Sequence, residues 1–303
     1  AKMEAFKDLV AVNNAAEAML MQHLSPEQQA AYQRTKASIS HDPPAQLALQ
    51  GLLAGGSLTG GDRDATGRDL LTALDELGRA PVASGIEQNK LVGDVIQEIF
   101  EPTCINQHNR GTCAAASVQI KVAADRPAEY CRIVQGMASP EGKCELQGKQ
   151  TLTRVRNTER KDNTPRTQSS RLVQAAFMEL AEPNCTYNND TDRHSGGRNF
   201  SGLTQKGVDR LMEGVWAQDV KTYEDVDKAV LEQVKAALAS GNSVPAGMAW
   251  GSGMHARHEV LLTKIENDTV YYNNPWGLQG KMSVRDFMGR GPSVSIPTWK
   301  KGA

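Results

Sequence analysis

The apolar positions along this chain change their period near residue 240. Before it they recur at helical spacing; after it they fall into short runs rich in β-branched and aromatic residues. Residues 5–24 carry Phe6, Leu9, Val10, Ala16, Met19 and Leu20 on a helical pattern. Ser25-Pro-Glu-Gln28 has the form of a capping box with proline at the first helical position, which starts a second helix. His41-Asp-Pro-Pro44 breaks it, and the glycine-rich stretch 51–61 (GLLAGGSLTGG) reads as a flexible linker or processing site. Helices over 66–77 and 86–100 follow, the second ended by Pro102. The pattern then predicts helices over 113–124 and from 125 to about 135, and a hairpin around Gln147-Gly-Lys149. A loop over 154–168 and an amphipathic helix over 169–180 come next. Residues 184–202 carry almost nothing apolar and read as a surface excursion or lid. A helix over 203–215 and another capped near Thr222 and running to Gly241 complete the helical part. Strand signals then dominate at 243–250, 258–265, 269–272 and 293–299.

Helices first and strands last predict an α+β protein with a helical half, a sheet half and a cleft between them. The chain divides on this reading into a helical N-terminal region, 1–101, and a catalytic domain, 102–303. Charge adds little: 34 basic and 35 acidic residues give a net charge of −1, with no nucleic-acid footprint. No apolar run approaches the ~20 residues that span a bilayer, so no membrane span is expected.

The chemistry gathers at Cys104-Ile-Asn-Gln107-His-Asn-Arg-Gly-Thr-Cys113-Ala-Ala-Ala-Ser117, a polar loop running into an alanine-rich helix. Thr112 is placed to cap that helix, which puts Cys113 in its first turn. Unpaired N–H groups and the macrodipole there favour a thiolate, the nucleophilic form. Gln107, six residues earlier, can offer its amide to an oxyanion beside the sulfur. Much further on, Arg257–Ile265 and Thr269–Tyr272 read as two strands joined at Glu266-Asn-Asp268, followed by Asn273-Asn274-Pro-Trp-Gly277. Such a hairpin brings its outer ends together, so His258 and Asn274 are expected to be neighbours. A histidine oriented by a carboxamide and facing a helix-start cysteine is the base, orienter and nucleophile of a thiol hydrolase. His255 competes with His258 and Asn273 with Asn274; the strand register and the Pro-Trp-Gly that follows favour His258 and Asn274.

Five cysteines, 104, 113, 131, 144 and 185, leave four beside the nucleophile. Those four could form two disulfides or remain thiols. No CxxC pair occurs and the spacing argues against zinc, so neither a metal nor an organic cofactor is expected.

Gln107, Cys113, His258 and Asn274-Pro-Trp-Gly277 resemble the papain-like cysteine peptidases in order, spacing and context. The resemblance covers about 104–299 and implies a papain-like bilobal domain. Its helical lobe would carry Cys113 and its antiparallel β lobe His258 and Asn274. Ala114, Glu259 and Pro275 depart from the usual residues at their positions, and the His258 to Gly277 part is also similar to bacterial leader-peptidase-type members. The expected activity is peptide-bond hydrolysis through a Cys113 thioester, with Gln107 in the oxyanion hole and Trp276, His255 and Gly253 near the substrate. The partner is then a protein or peptide substrate. The resemblance also allows residues 1–101 to be an inhibitory pro-segment, as in a zymogen; an integral helical lobe or a partner-binding module is the other reading. Transglutaminase or glutamine-deamidase chemistry on the same triad, and a non-enzymatic partner-binding scaffold, are the alternatives. A self-contained thiol peptidase of this kind suits a secreted or delivered bacterial effector or toxin, or a lumenal or cytoplasmic enzyme.

Overall fold

The computed structural model describes residues 2–196, 201–251 and 256–299. The first half is helical: α1 Lys2–Met21, α2 Pro26–Ser38, α3 Pro43–Ala54, α4 Leu70–Leu77, α5 Gln88–Phe100, α6 Cys113–Asp125 and α7 Pro127–Ala138. A short hairpin, β1 Lys143–Glu145 with β2 Thr151–Thr153, precedes α8 Gln168–Ala181. A second hairpin, β3 Thr186–Asn188 with β4 Arg193–Ser195, precedes α9 Gln205–Trp216. Then come β5 Val220–Tyr223, α10 Lys228–Ala239, β6 Val244–Trp250, β7 Ala256–Glu266, β8 Thr269–Asn274, β9 Leu278–Ser283, α11 Val284–Gly289 and β10 Ser293–Pro297. The last six strands form one antiparallel sheet in the order β5-β10-β6-β7-β8-β9. The protein is α+β, as the change of period predicts.

The Ser25 capping box forms in full, the Ser25 hydroxyl accepting from Gln28 N at 3.2 Å and the Gln28 side chain accepting from Ser25 N at 2.9 Å. The next stretch corrects the sequence reading. Residues 41–44 do not only end α2: Asp42 caps α3, its carboxylate accepting from Ala45 N at 3.0 Å. Pro43 and Pro44 occupy the first turn, where a missing N–H costs nothing. The expected linker at 51–61 therefore begins inside a helix, with Leu52 and Leu53 buried in α3 and Leu58 buried beyond it. Thr222 does not cap a helix either. It lies in β5 opposite Ser295, and Asp227 caps α10, accepting from Val230 N at 2.8 Å. The strand β9 and the helix α11 had no sequence signal of their own.

One hydrophobic core takes in α2 to α9, with Leu49, Leu74, Val95 and Ile96 before residue 101 packed together with Val118, Val134 and Phe177 after it. The core is continuous across 101. A buried polar network crosses the same point: Glu98 of α5 accepts from Tyr130 Oη at 2.5 Å, Thr167 Oγ1 at 2.6 Å, Ser169 Oγ at 2.7 Å and Ser170 Oγ at 2.8 Å. A second core lies on the other face of the sheet, where Val260, Leu262, Val270 and Phe287 pack against Val230 and Val234 of α10. Among the described residues no helix is long and apolar enough to cross a membrane. All five cysteines are free thiols.

Candidate active site

The β7–β8 hairpin turns on Asn267 and Asp268, both with positive φ (47° and 59°). That pair of left-handed residues is what a two-residue type I′ turn needs. Glu266 faces Thr269 and Leu261 faces Asn273, so the far end of the hairpin brings residue 258 beside residue 274. There His258 Nε2 and Asn274 Oδ1 are 2.9 Å apart. Asn274 Oδ1 also accepts from the backbone N–H of Trp276 at 3.2 Å, which fixes the carboxamide with its oxygen toward both donors. An accepting oxygen at Nε2 puts the proton there and leaves Nδ1 as the base. Asn273 instead pairs within the sheet, opposite Leu261 and Gln279.

Aromatic rings enclose the imidazole. Trp276 stacks on it with centroids 4.4 Å apart and 23° between planes, and Trp250 meets it edge-on at 4.8 Å. His258 is 6 % exposed while Trp276, at 39 %, covers it from the solvent side. Burial draws the imidazole pKa down and the Asn274 hydrogen bond draws it back up, with burial the larger effect. Trp250 was not singled out in the sequence; its signal is its place at the end of the strand that pairs with β7, two residues past the partner of His258.

The cysteine loop is stitched to this end of the sheet. Gln107 N donates to Pro275 O at 2.7 Å, and Asn106 Nδ2 to Trp276 O at 2.9 Å. Gly277 takes φ +72°, and a Cβ there would sit 3.0 Å from Asn106 Nδ2, so the Asn-Pro-Trp-Gly turn requires glycine on both counts. Two polar stretches clasp the loop from the other side. Gly111 N donates to Asp192 Oδ2 at 2.6 Å, and Arg110 reaches Asp162 at 3.7 Å. Asp192 and Asp162 fall in stretches whose sequence pattern marks only loops; the folded chain shows what they hold.

Cys113 opens α6, but Thr112 is a cap by position only: its hydroxyl donates to Gln174 Oε1 at 2.8 Å rather than accepting from the helix. The first turn of α6 packs on β7, where Ser117 Oγ meets Glu259 O at 3.4 Å. The half-buried thiol faces the backbone N–H groups of Glu259, Ala114 and Cys113 itself. These donors favour a thiolate, yet burial and the nearby Glu259 carboxyl prevail and push the thiol up to about 11. This corrects the expectation of a lowered thiol pKa, because desolvation outweighs the helix start. Burial thus disfavours both charged forms, the thiolate and the imidazolium. Among the described residues Cys113 Sγ makes no hydrogen bond to His258; the two are joined through the strand position next to the histidine.

Gln107 lies buried beside this junction. Its side-chain Nε2 donates to Arg110 O within its own loop, and its Oε1 has no partner. One of its two amide hydrogens is thus committed to the loop. His255 and Gly253 lie outside the described residues. Of the other described histidines, His108 is half-buried in the Gln107 loop, its backbone N–H donating to Asn106 Oδ1 at 2.7 Å, His23 and His41 are exposed, and His194 is buried with Nε2 2.9 Å from Met178 O. Among the described residues no group of three His, Cys, Asp or Glu side chains is arranged to hold a metal ion. No protein-family model matches this chain, and no curated protein matches it in sequence.

Proposed function

We propose that this protein is a cysteine peptidase of papain-like architecture, hydrolysing peptide bonds in a protein or peptide substrate. The observation that carries the reading is the His258–Asn274 bond of 2.9 Å under the Trp276 ring, formed at the strand position adjoining the thiol of Cys113. An imidazole held in one tautomer, shielded from water and set next to a cysteine at a helix start has the parts of a general base and its nucleophile.

On this reading Nδ1 of His258 takes the proton from Cys113 as the sulfur attacks the carbonyl carbon. The resting thiol is neutral, so transfer accompanies attack. Apo geometry in such pairs is often open and tightens on substrate binding. The oxyanion is met by the Cys113 backbone N–H, which in the resting site faces the thiol, and by the remaining amide hydrogen of Gln107; one such donor contributes roughly 3 kcal/mol to the transition state. His258 returns its proton to the leaving amine, then takes one from the water that cleaves the thioester. The helical part supplies Cys113 and the sheet His258 and Asn274, with the substrate between them. The continuous core across residue 101 favours an integral helical lobe over a removable pro-segment.

The test is covalent labelling with an irreversible, substrate-like epoxide, followed by intact-mass analysis and peptide mapping. One adduct on Cys113, lost in Cys113→Ala and in His258→Ala, is the expected result. Labelling that ignores His258, or that spreads over Cys104 and Cys185, would sink the proposal.

A further inference from the structure

Away from the cysteine, a cavity of about 440 Å³ opens between the start of α5 and the segment 159–171. Five cationic side chains line it: Lys90, Arg160, Lys161, Arg166 and Arg171, against one carboxylate, Glu87. Four of the five have a carboxylate of their own. Lys90 pairs with Asp94 at 2.7 Å, Lys161 with Glu87 at 3.8 Å, Arg160 with Glu159 at 4.0 Å, and Arg166 with Asp162.

Arg171 is different. It is 3 % exposed, and among the described residues its side chain makes one hydrogen bond, Nε to Thr158 O at 2.7 Å. Among the described residues its two terminal nitrogens have no hydrogen-bond partner and no carboxylate lies within ion-pair distance of them. Asp162, Asp94 and Glu159 act on it only from further off, and Arg166 opposes them. A guanidinium stays charged at any ordinary pH, so burying one without a counter-ion is costly unless an anion completes the site. The second feature is the helix start. α5 begins without a side-chain cap, so the N–H groups of Gln88, Asn89 and Lys90 have no partner in the helix, and Glu87 and Lys90 of this first turn line the cavity.

We propose that this cavity binds a phosphate-class oxyanion, held by the free end of the Arg171 guanidinium, by Arg160 and Lys161 at the rim, and by the first turn of α5. A paired Nη1/Nη2 edge fits two oxygens of such a group, and the helix start supplies further N–H donors. The ligand is either the free ion or a phosphoryl group on a larger small molecule. Nothing in this assignment depends on the peptidase reading, so it is tested by binding alone.

The experiment titrates the full chain at constant ionic strength with inorganic phosphate, phenyl phosphate and acetate, following backbone amide shifts by NMR and heat by calorimetry. Saturable phosphate binding is expected, with shifts centred on Gln88, Asn89 and Lys90 and acetate much weaker. Tighter binding of phenyl phosphate would assign the site to a phosphoryl group on a larger ligand, and tighter binding of inorganic phosphate to the free ion. Arg171→Met is expected to abolish binding. Because that residue is buried, the exposed pair Arg160→Ser/Lys161→Ser provides the second variant, expected to fold normally and bind about tenfold more weakly. Absence of saturation, equal binding of acetate, or unchanged affinity in the folded rim variant would overturn the assignment.

Discussion

At the scale of single residues, the candidate site depends on which atom of which side chain carries a proton. Asn274 has two neighbours that both donate to its Oδ1, Trp276 N and the His258 ring, and this leaves Nδ1 as the unprotonated ring nitrogen. Asn274→Ala removes the buried acceptor at the end of β8 and leaves both of its donors unpaired. The expected outcome is a fall of about 10²-fold in the rate at which an epoxide labels Cys113, the low end of what a positioned base contributes. In parallel, ¹⁵N NMR of the imidazole should show the proton no longer confined to Nε2. An unchanged tautomer with an unchanged rate would mean that Asn274 plays no part in orienting the ring. Sequence spacing picks out this pair because a two-residue turn fixes hairpin register. Trp250 escapes it, because its contact with the ring depends on pairing with a third strand.

At the scale of elements, the question is what joins the N-terminal helices to the helix of Cys113. Glu98 of α5 is buried and accepts four hydroxyls from α7, α8 and the residue before α8. Burial raises its pKa, and the hydroxyl donors oppose that rise. Glu98→Ala leaves those hydroxyls without an acceptor in the core. Urea unfolding is expected to show a loss of about 3 kcal/mol or more, well above an exposed substitution. A loss under 1 kcal/mol would mean that α5 is only loosely attached and could leave as a separate unit. The helices with strong apolar periodicity (α5, α6, α8 and α9) were legible from the sequence within a few residues. α3 was not, because two prolines that look like a break stand in the one turn where a helix accepts them. β5 and β9 were not, because four- and six-residue strands at or near a sheet edge have few buried positions to reveal a period.

At the scale of the whole molecule, buried acids set how stability follows pH. Burial pushes the Glu259 carboxyl up to about 8 from an ordinary 4.5, and one of its oxygens has no partner among the described residues. Asp209 of α9, also buried, is pushed up to about 6. Each holds a proton in the folded chain that it has released in the unfolded one. The contribution is therefore complete below the unfolded pKa and lost as pH rises through the folded pKa. Thermal unfolding is expected to show Tm falling between pH 5 and 9, and Glu259→Gln, which is neutral throughout, to flatten the upper part of that fall. A Tm slope identical in the variant would show that Glu259 is already ionised when folded. The same carboxyl lies near the Cys113 thiol, where its charge disfavours the thiolate.

The sequence by itself determined the α+β order, the helix opening at Cys113, and the hairpin that sets His258 against Asn274. These follow from local rules: apolar period, capping chemistry and turn geometry act over a few residues and can be read there. The tertiary structure alone decided that residues on both sides of 101 share one core, and that Trp250 joins Trp276 around the imidazole. It also decided that the thiol is held neutral by burial, against the local pull of its helix. Those outcomes depend on which distant side chains exclude water from a group, and desolvation has no signature in the order of residues along a chain.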